Sequence, residues 1–257
     1  MEETARIVSI ILKTLSKALE ENWPTLTGKD LDAMAGTLIA EYGATSYNKG
    51  YKPKWAKEPY PANLCISPNG IVVHGVPTDL HFQEGDIVTI DIGIKKDGFC
   101  GDGAITVGCG KLSNADERLI YYAKGAVYEY ISQLRPGANT RDLADHIQKW
   151  ASARGYNVNR RAAGHTIGRD MHEKPSLYNT VEDDVHTYAD LKEGMIVCIE
   201  PVITKSKDTI GMVLGDSWTI ANYDRKNCAM FEHMVEITKD GAKVLTTHFE
   251  NTNIERG

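Results

Sequence analysis

Residues 82–93 read FQEGDIVTIDIG and residues 191–202 read LKEGMIVCIEPV. Each passes from an apolar residue through Glu-Gly into an alternating apolar run and ends near a carboxylate. That acid is Asp91 in the first stretch and Glu200 in the second, 109 residues later. Alternation with period two predicts a strand in each case, and Glu-Gly predicts a turn leading into it. Within the first, Ile87, Thr89 and Asp91 share one face, while Val88 and Ile90 share the other.

The similarity extends outward. Pro24, Lys29-Asp30-Leu31 and Gly43 recur as Pro136, Arg141-Asp142-Leu143 and Gly155, each 112 residues on. Apolar residues at helical spacing cover 4–21 and 29–42 in the first half. Helices over about 115–133 and 140–154 answer them in the second. Strands are predicted at 63–67, 71–74, 86–94 and 98–107, then at about 195–204, 210–220, 230–237 and 242–247. Residues 46–62, with prolines and aromatics but no periodicity, read as a loop. Matches in register at two distant segments argue for a duplicated α/β (α+β) fold with pseudo-twofold halves, about 1–112 and 113–250. Together they are expected to form one catalytic domain over 1–257.

The bulk composition excludes several classes. Of the 257 residues, 42% are hydrophobic and 25% charged, as in ordinary water-exposed globular proteins. A net charge of −6 gives no electrostatic reason to expect nucleic acid as the main ligand. No apolar run approaches the ~18–20 residues needed to span a bilayer, so no membrane association is expected. The start, MEETARIVSIILKTLSKALEEN, lacks the basic region and cleavage site of a signal peptide. Cys65, Cys100, Cys109, Cys198 and Cys228 are odd in number and scattered. They fit free thiols in a reducing, cytoplasmic setting better than a disulfide framework.

Several residues carry chemistry. The turn signal Lys96-Asp97-Gly98 predicts a hairpin that pairs Asp91 with Asp102, bringing two carboxylates together. Two bare acids so placed would repel unless a cation lay between them. Read blandly, both are solvated strand ends. In the second half, Gly164 and Gly168 flank His165 within AAGHTIGRDMHEKP, and His172 follows seven residues later. Glu200-Pro201 ends one apolar strand and Glu232 interrupts another, where an unpaired carboxylate is costly. Four carboxylates and one imidazole suit Mn²⁺, Fe²⁺ or Co²⁺ and tolerate Zn²⁺. Two ions ~3.5–4 Å apart are the usual arrangement for such donors.

At VVHGVP (72–77), DIGIKKDGFCGD (91–102), GHTIGRDMHEKP (164–175), IEP (199–201) and FEH (231–233) the chain resembles type I methionine aminopeptidases. These are metallopeptidases of the pita-bread fold, in which central antiparallel sheets are flanked by helices. The resemblance spans roughly residues 63–247. It implies five metal ligands: Asp102 and Glu232 bridging two divalent ions, Asp91 on one, and His165 with Glu200 on the other. His74 and His172 match the family's two non-ligand histidines, and Tyr60, Cys65, Met171 and Trp218 its methionine pocket.

The activity implied is removal of the N-terminal methionine from polypeptides with a small second residue, by metal-activated water. Glu200 would shuttle the proton, His172 would stabilise the oxyanion, and His74 would contact the scissile amide nitrogen. Nascent polypeptide N-termini, a transient ribosome contact and a monomeric state are the implied partners and assembly. The chain departs from the family at Thr166, at Gly103 and Ala104, and at Met230 and Met234, none of which removes a ligand. The rival readings are an X-Pro-type peptidase of the same fold and a non-catalytic binding protein reusing it.

Overall fold

A computed structural model describes residues 1–182, 184–207 and 209–247. The end of the expected second half, 248–250, and the tail beyond it lie outside the described residues. Among the described residues four α-helices, α1 (Glu2–Asn22), α2 (Gly28–Glu41), α3 (Asn114–Ser132) and α4 (Thr140–Ser152), pack with five antiparallel sheets, one of five strands and four of three. The repeated basic-Asp-Leu triplets mark helix starts. Thr27 caps α2 and Asn139 caps α4, so Asp30 and Asp142 fall in equivalent first-turn positions. There a carboxylate opposes the positive end of the helix, and at α2 Asp30 closes a capping box with Thr27. The next residues, Leu31 and Leu143, are buried.

The opening pair of segments forms the centre of two of these sheets, one in each half. Ile87–Asp91 lies between Cys65–Pro68 and Ala104–Gly108. Ile196–Ile199 lies between Ala163–Thr166 and His233–Thr238, with Glu173–Tyr178 and Gly241–Val244 added at the edges. The Glu-Gly turns are built alike. Gly85 N–H donates to Cys109 O and Cys109 N–H to Asp86 O, both at 2.8 Å. Gly194 N–H donates to Ile237 O and Ile237 N–H to Met195 O, again at 2.8 Å. Both glycines hold φ near +90°, at 92° and 83°, a conformation that strains any residue with a Cβ.

The halves join at their strand ends. Glu232 N–H donates to Ala104 O at 3.0 Å, an isolated bridge between the two halves. Thr106 Oγ1 donates to Met230 O at 2.7 Å and accepts from Met230 N–H at 2.9 Å. One continuous apolar core draws on both halves, with α1 against Ile87–Asp91 and Ala104–Gly108 and α3 against Ile196–Ile199. No helix among the described residues is long and apolar enough to cross a membrane.

Three expectations are corrected. The two-residue loop Asp97-Gly98 sets a register in which Asp91 faces Ala104, not Asp102. Because side chains alternate, Asp102 is then the diagonal neighbour on the same face, which still brings the two carboxylates together. The strand expected at 210–220 is two short strands, Met212–Val213 and Ile220–Ala221, paired around a turn. Asp216 makes that turn by accepting from the N–H groups of Trp218 and Thr219. Glu173–Tyr178 was missed as a strand because Lys174-Pro175 breaks its apolar pattern. A register shift between Glu173 and Ser176 accommodates that proline at the sheet edge.

Candidate metal centre and pocket

The fold brings every candidate to one cavity of about 340 Å³. Asp91, Asp102, His165, Glu200 and Glu232 line it together with His74, His172, Tyr60, Cys65, Met171 and Trp218. Each acid arrives from a different strand end or bend, where the ladder stops and a side chain can turn inward. Gly164 permits His165 to approach. A Cβ there would overlap the carbonyl oxygen of Cys198 on the adjacent strand. Gly164→Ala is therefore expected to cost about 1–3 kcal/mol, as overpacking does, and to lower metal affinity. A denaturant midpoint and a metal titration check this; an unshifted midpoint would contradict the close packing.

The geometry at the centre suits cations. His165 Nε2 lies 3.7 Å from Asp102 Oδ2 and 3.6 Å from Glu200 Oε1, too far for hydrogen bonds. Such separations fit donors arranged around a shared ion. His165 Nδ1 lies 3.2 Å from the Thr166 carbonyl. A carbonyl only accepts, so the proton sits on Nδ1 and Nε2 presents its lone pair to the carboxylates. Glu232 is 2% exposed, and its Oε1 is buried without a hydrogen-bond partner. Four acids that gather in one cavity with no Lys, and only Arg161 at the rim, carry charge that two divalent ions would neutralise. The donor set fits divalent metal.

Burial, then the charge of Asp102, pushes the Asp91 carboxyl well above its ordinary range. Glu200 and Glu232 are pushed up for the same reasons, with Asp91 adding to both. The sign for stability follows. A carboxyl with a raised folded pKa contributes most when protonated, and that contribution is lost as pH climbs from the ordinary 4.5 of glutamate toward the folded value. Metal-stripped protein should therefore lose melting temperature from pH 5 to pH 8. Added Mn²⁺ should restore more at pH 8, where the acids bind it ionised; calorimetry at both values is the check, and a flat profile without metal would contradict it.

The two further histidines stay neutral. Desolvation first, then the neighbouring His172, holds His74 down to about 4. His74 adopts φ of 57°, an uncommon conformation outside glycine, and its Nδ1 is buried without a partner. His172 is an exposed residue of the cavity lining. Burial by its walls, then His165 at 4.5 Å between ring centroids, holds it well below ordinary imidazole.

The apolar wall is anchored. Tyr60 Oη donates to Gly75 O at 2.8 Å, and Trp218 Nε1 to Glu58 O at 3.0 Å. Their rings meet edge to face at 5.1 Å, beside buried Cys65. Met171 lines the same cavity and packs in a separate cluster with Cys198 and Met234.

The departures noted in the sequence are absorbed by the fold. Thr166 Oγ1 donates to Pro175 O at 3.0 Å. Gly103 N–H donates to Asp102 Oδ1 at 3.0 Å, and Met234 Sδ accepts from Asp102 N–H at 3.4 Å. Sequence reasoning missed Tyr47, Asn48, Tyr51, Trp55 and Arg161, which also line the cavity. The signal was the aromatic-rich loop at 46–62, whose Tyr51 sits 6.1 Å from His172 and whose Trp55 stacks over His74 at 6.4 Å.

Residues 1–239 match the model of metallopeptidase family M24, and the chain belongs to that family. Within it, the chain is 36% identical over 248 residues to a methionine aminopeptidase of Aquifex aeolicus, covering 96% of this chain and 95% of that protein. Methionine aminopeptidase 1 of Bacillus subtilis is 32% identical over 96% of this chain and 94% of its own. A crystal structure of methionine aminopeptidase from Thermotoga maritima superposes with a TM-score of 0.88 at 30% identity, covering 96% and 95% of the two chains. Membership in a metallopeptidase family and the buried donor cluster both point to divalent-metal use.

Proposed function

We propose that this chain is a metal-dependent aminopeptidase that removes the N-terminal methionine from polypeptides with a small second residue. The observation carrying this reading is the cavity itself, where four acids and His165 share the lining with Tyr60, Cys65, Met171 and Trp218. A volume of about 340 Å³ suits one residue and its small neighbour, at the lower end of the ~300–1,000 Å³ usual for ligand pockets. The sulfur and aromatic wall matches a thioether side chain.

Asp91, Asp102, His165, Glu200 and Glu232 would hold two divalent ions, Mn²⁺, Fe²⁺ or Co²⁺, with Zn²⁺ tolerated. Such ions lower the pKa of bound water and polarise a carbonyl. Glu200, raised by burial and neighbouring charge, takes the proton of the attacking water and returns it to the departing amine nitrogen. Neutral His172 donates a hydrogen bond to the carbonyl oxygen as it becomes negative. His74, with Nδ1 unpartnered, holds the scissile amide nitrogen. Tyr60 and Trp218, fixed by their own hydrogen bonds, keep the side-chain pocket open. Residues 1–257 act as one catalytic unit, and nascent chains in the cytoplasm are its substrates, met by a monomer in transient contact with the ribosome.

Cleavage of Met-Ala-Ser by metal-reconstituted protein, with elemental analysis of the same sample, tests the reading. Release of methionine with two equivalents of metal is the expected result. Preference for Ala-Pro substrates would point to the X-Pro-type reading. Full metal content with no turnover would point to a binding protein.

A further inference from the structure

The strand Ile196–Ile199 delivers one more group to the centre. Cys198 lies opposite His165 on one neighbouring strand and opposite Met234 on the other. Two positions before Glu200, it shares that residue's face. Its side chain is fully buried. Its Sγ and ligand atoms of Asp102, His165 and Glu232 all lie within 4.8 Å of one another. Independently, Glu232 Oε1 is buried and unpartnered. The sulfurs of Met171, Cys100 and Met234 pack in the same buried cluster.

We propose that Asp102, His165, Cys198 and Glu232 form a closed four-ligand set for a single thiophilic divalent ion of the zinc class. It is an alternative to the oxygen-rich set that supports hydrolysis. This rests on the reading of the cavity as a metal site. Zinc favours tetrahedral N, O and S ligands at ~2.0–2.3 Å, which places neighbouring donors ~3.3–3.8 Å apart. The four atoms are already gathered to within 4.8 Å, so small side-chain rotations suffice.

Thiolate selects softer ions, whereas carboxylates alone suit Mn²⁺. On binding, the Cys198 thiol gives its proton to solvent and its sulfur lone pair to the ion, with no change of oxidation state. A tetrahedral ion with four protein ligands keeps no open position, the mark of a structural and not a catalytic site. A zinc-class ion seated in this closed set leaves the protein inactive, whereas Zn²⁺ in the oxygen-rich set is tolerated.

The test titrates metal-stripped, full-length protein with Cd²⁺, following the thiolate-to-metal charge-transfer absorption in the ultraviolet. The parent is expected to show this band at one ion per chain, and Cys198→Ser to lack it. Cys65→Ser, which removes the thiol that lines the cavity, should retain it. Zn²⁺ affinity of Cys198→Ser should fall by at least the ~10–100-fold that loss of a supporting partner brings, with Mn²⁺ affinity unchanged. Parent protein that binds Mn²⁺ and cleaves Met-Ala-Ser, yet shows no thiolate band with Cd²⁺, overturns this inference alone. So does a band that survives in Cys198→Ser. Parent protein that binds no divalent ion overturns it together with the metal-site reading.

Discussion

Asp102→Ala and His165→Ala are each expected to abolish bound metal and peptidase activity. Asp102 is 9% exposed, and its Oδ2 lies 3.7 Å from His165 Nε2. It also charges every other acid of the cluster, since its carboxylate raises Asp91, Glu200 and Glu232. Losing a partner that merely supports a ligand typically costs 10–100-fold in metal affinity. Loss of a side chain that would itself ligate the metal should exceed ~100-fold. Misfolding is separable from loss of the site. Without metal, Asp102→Asn removes one of four mutually repelling buried carboxylates, so the stripped variant should melt no lower than the stripped parent. Elemental analysis, turnover and melting temperature together decide. Turnover retained in either alanine variant would refute the site.

His172→Ala is the second large effect, and it should leave metal content intact. The ring stands beside His165 at 4.5 Å and is flanked by Tyr47 at 6.4 Å and Tyr51 at 6.1 Å. Burial and His165 keep it neutral at pH 7, and bound cations would lower its pKa further. A neutral imidazole donates one hydrogen bond without competing for the ions. Removing one oxyanion donor costs about 10²–10³ in kcat, so kcat should fall by that much with KM little changed. Because His172 is held down to about 4, the acid limb of the parent's pH profile above that value should follow metal loss. Metal loss in His172→Ala would reassign this histidine to holding the centre together.

Much of the site was legible because its residues sit in short local patterns. Glu-Gly followed by alternation located Asp91 and Glu200, since that pattern encodes a turn and a strand whatever surrounds it. The triplets at Lys29 and Arg141 encoded helix starts, because an acid in the first turn meets the exposed N–H groups of its own helix. The pairing of Asp91 was misjudged by two residues because a two-residue loop fixes register through its own geometry. The Glu173–Tyr178 strand was hidden because proline and charge mask alternation at a sheet edge.

Sequence by itself determined the duplicated order of elements, the helix starts and which acids end strands, because those depend on interactions within a few residues. Tertiary structure alone decided the rest. It placed Cys198 among Asp102, His165 and Glu232, bridged the halves through Ala104 and Glu232, and laid the loop aromatics Tyr51 and Trp55 over His172 and His74. Those contacts join residues far apart in the chain. They are fixed by how the two halves pack and by the cost of burying like charges together, neither of which any local pattern records.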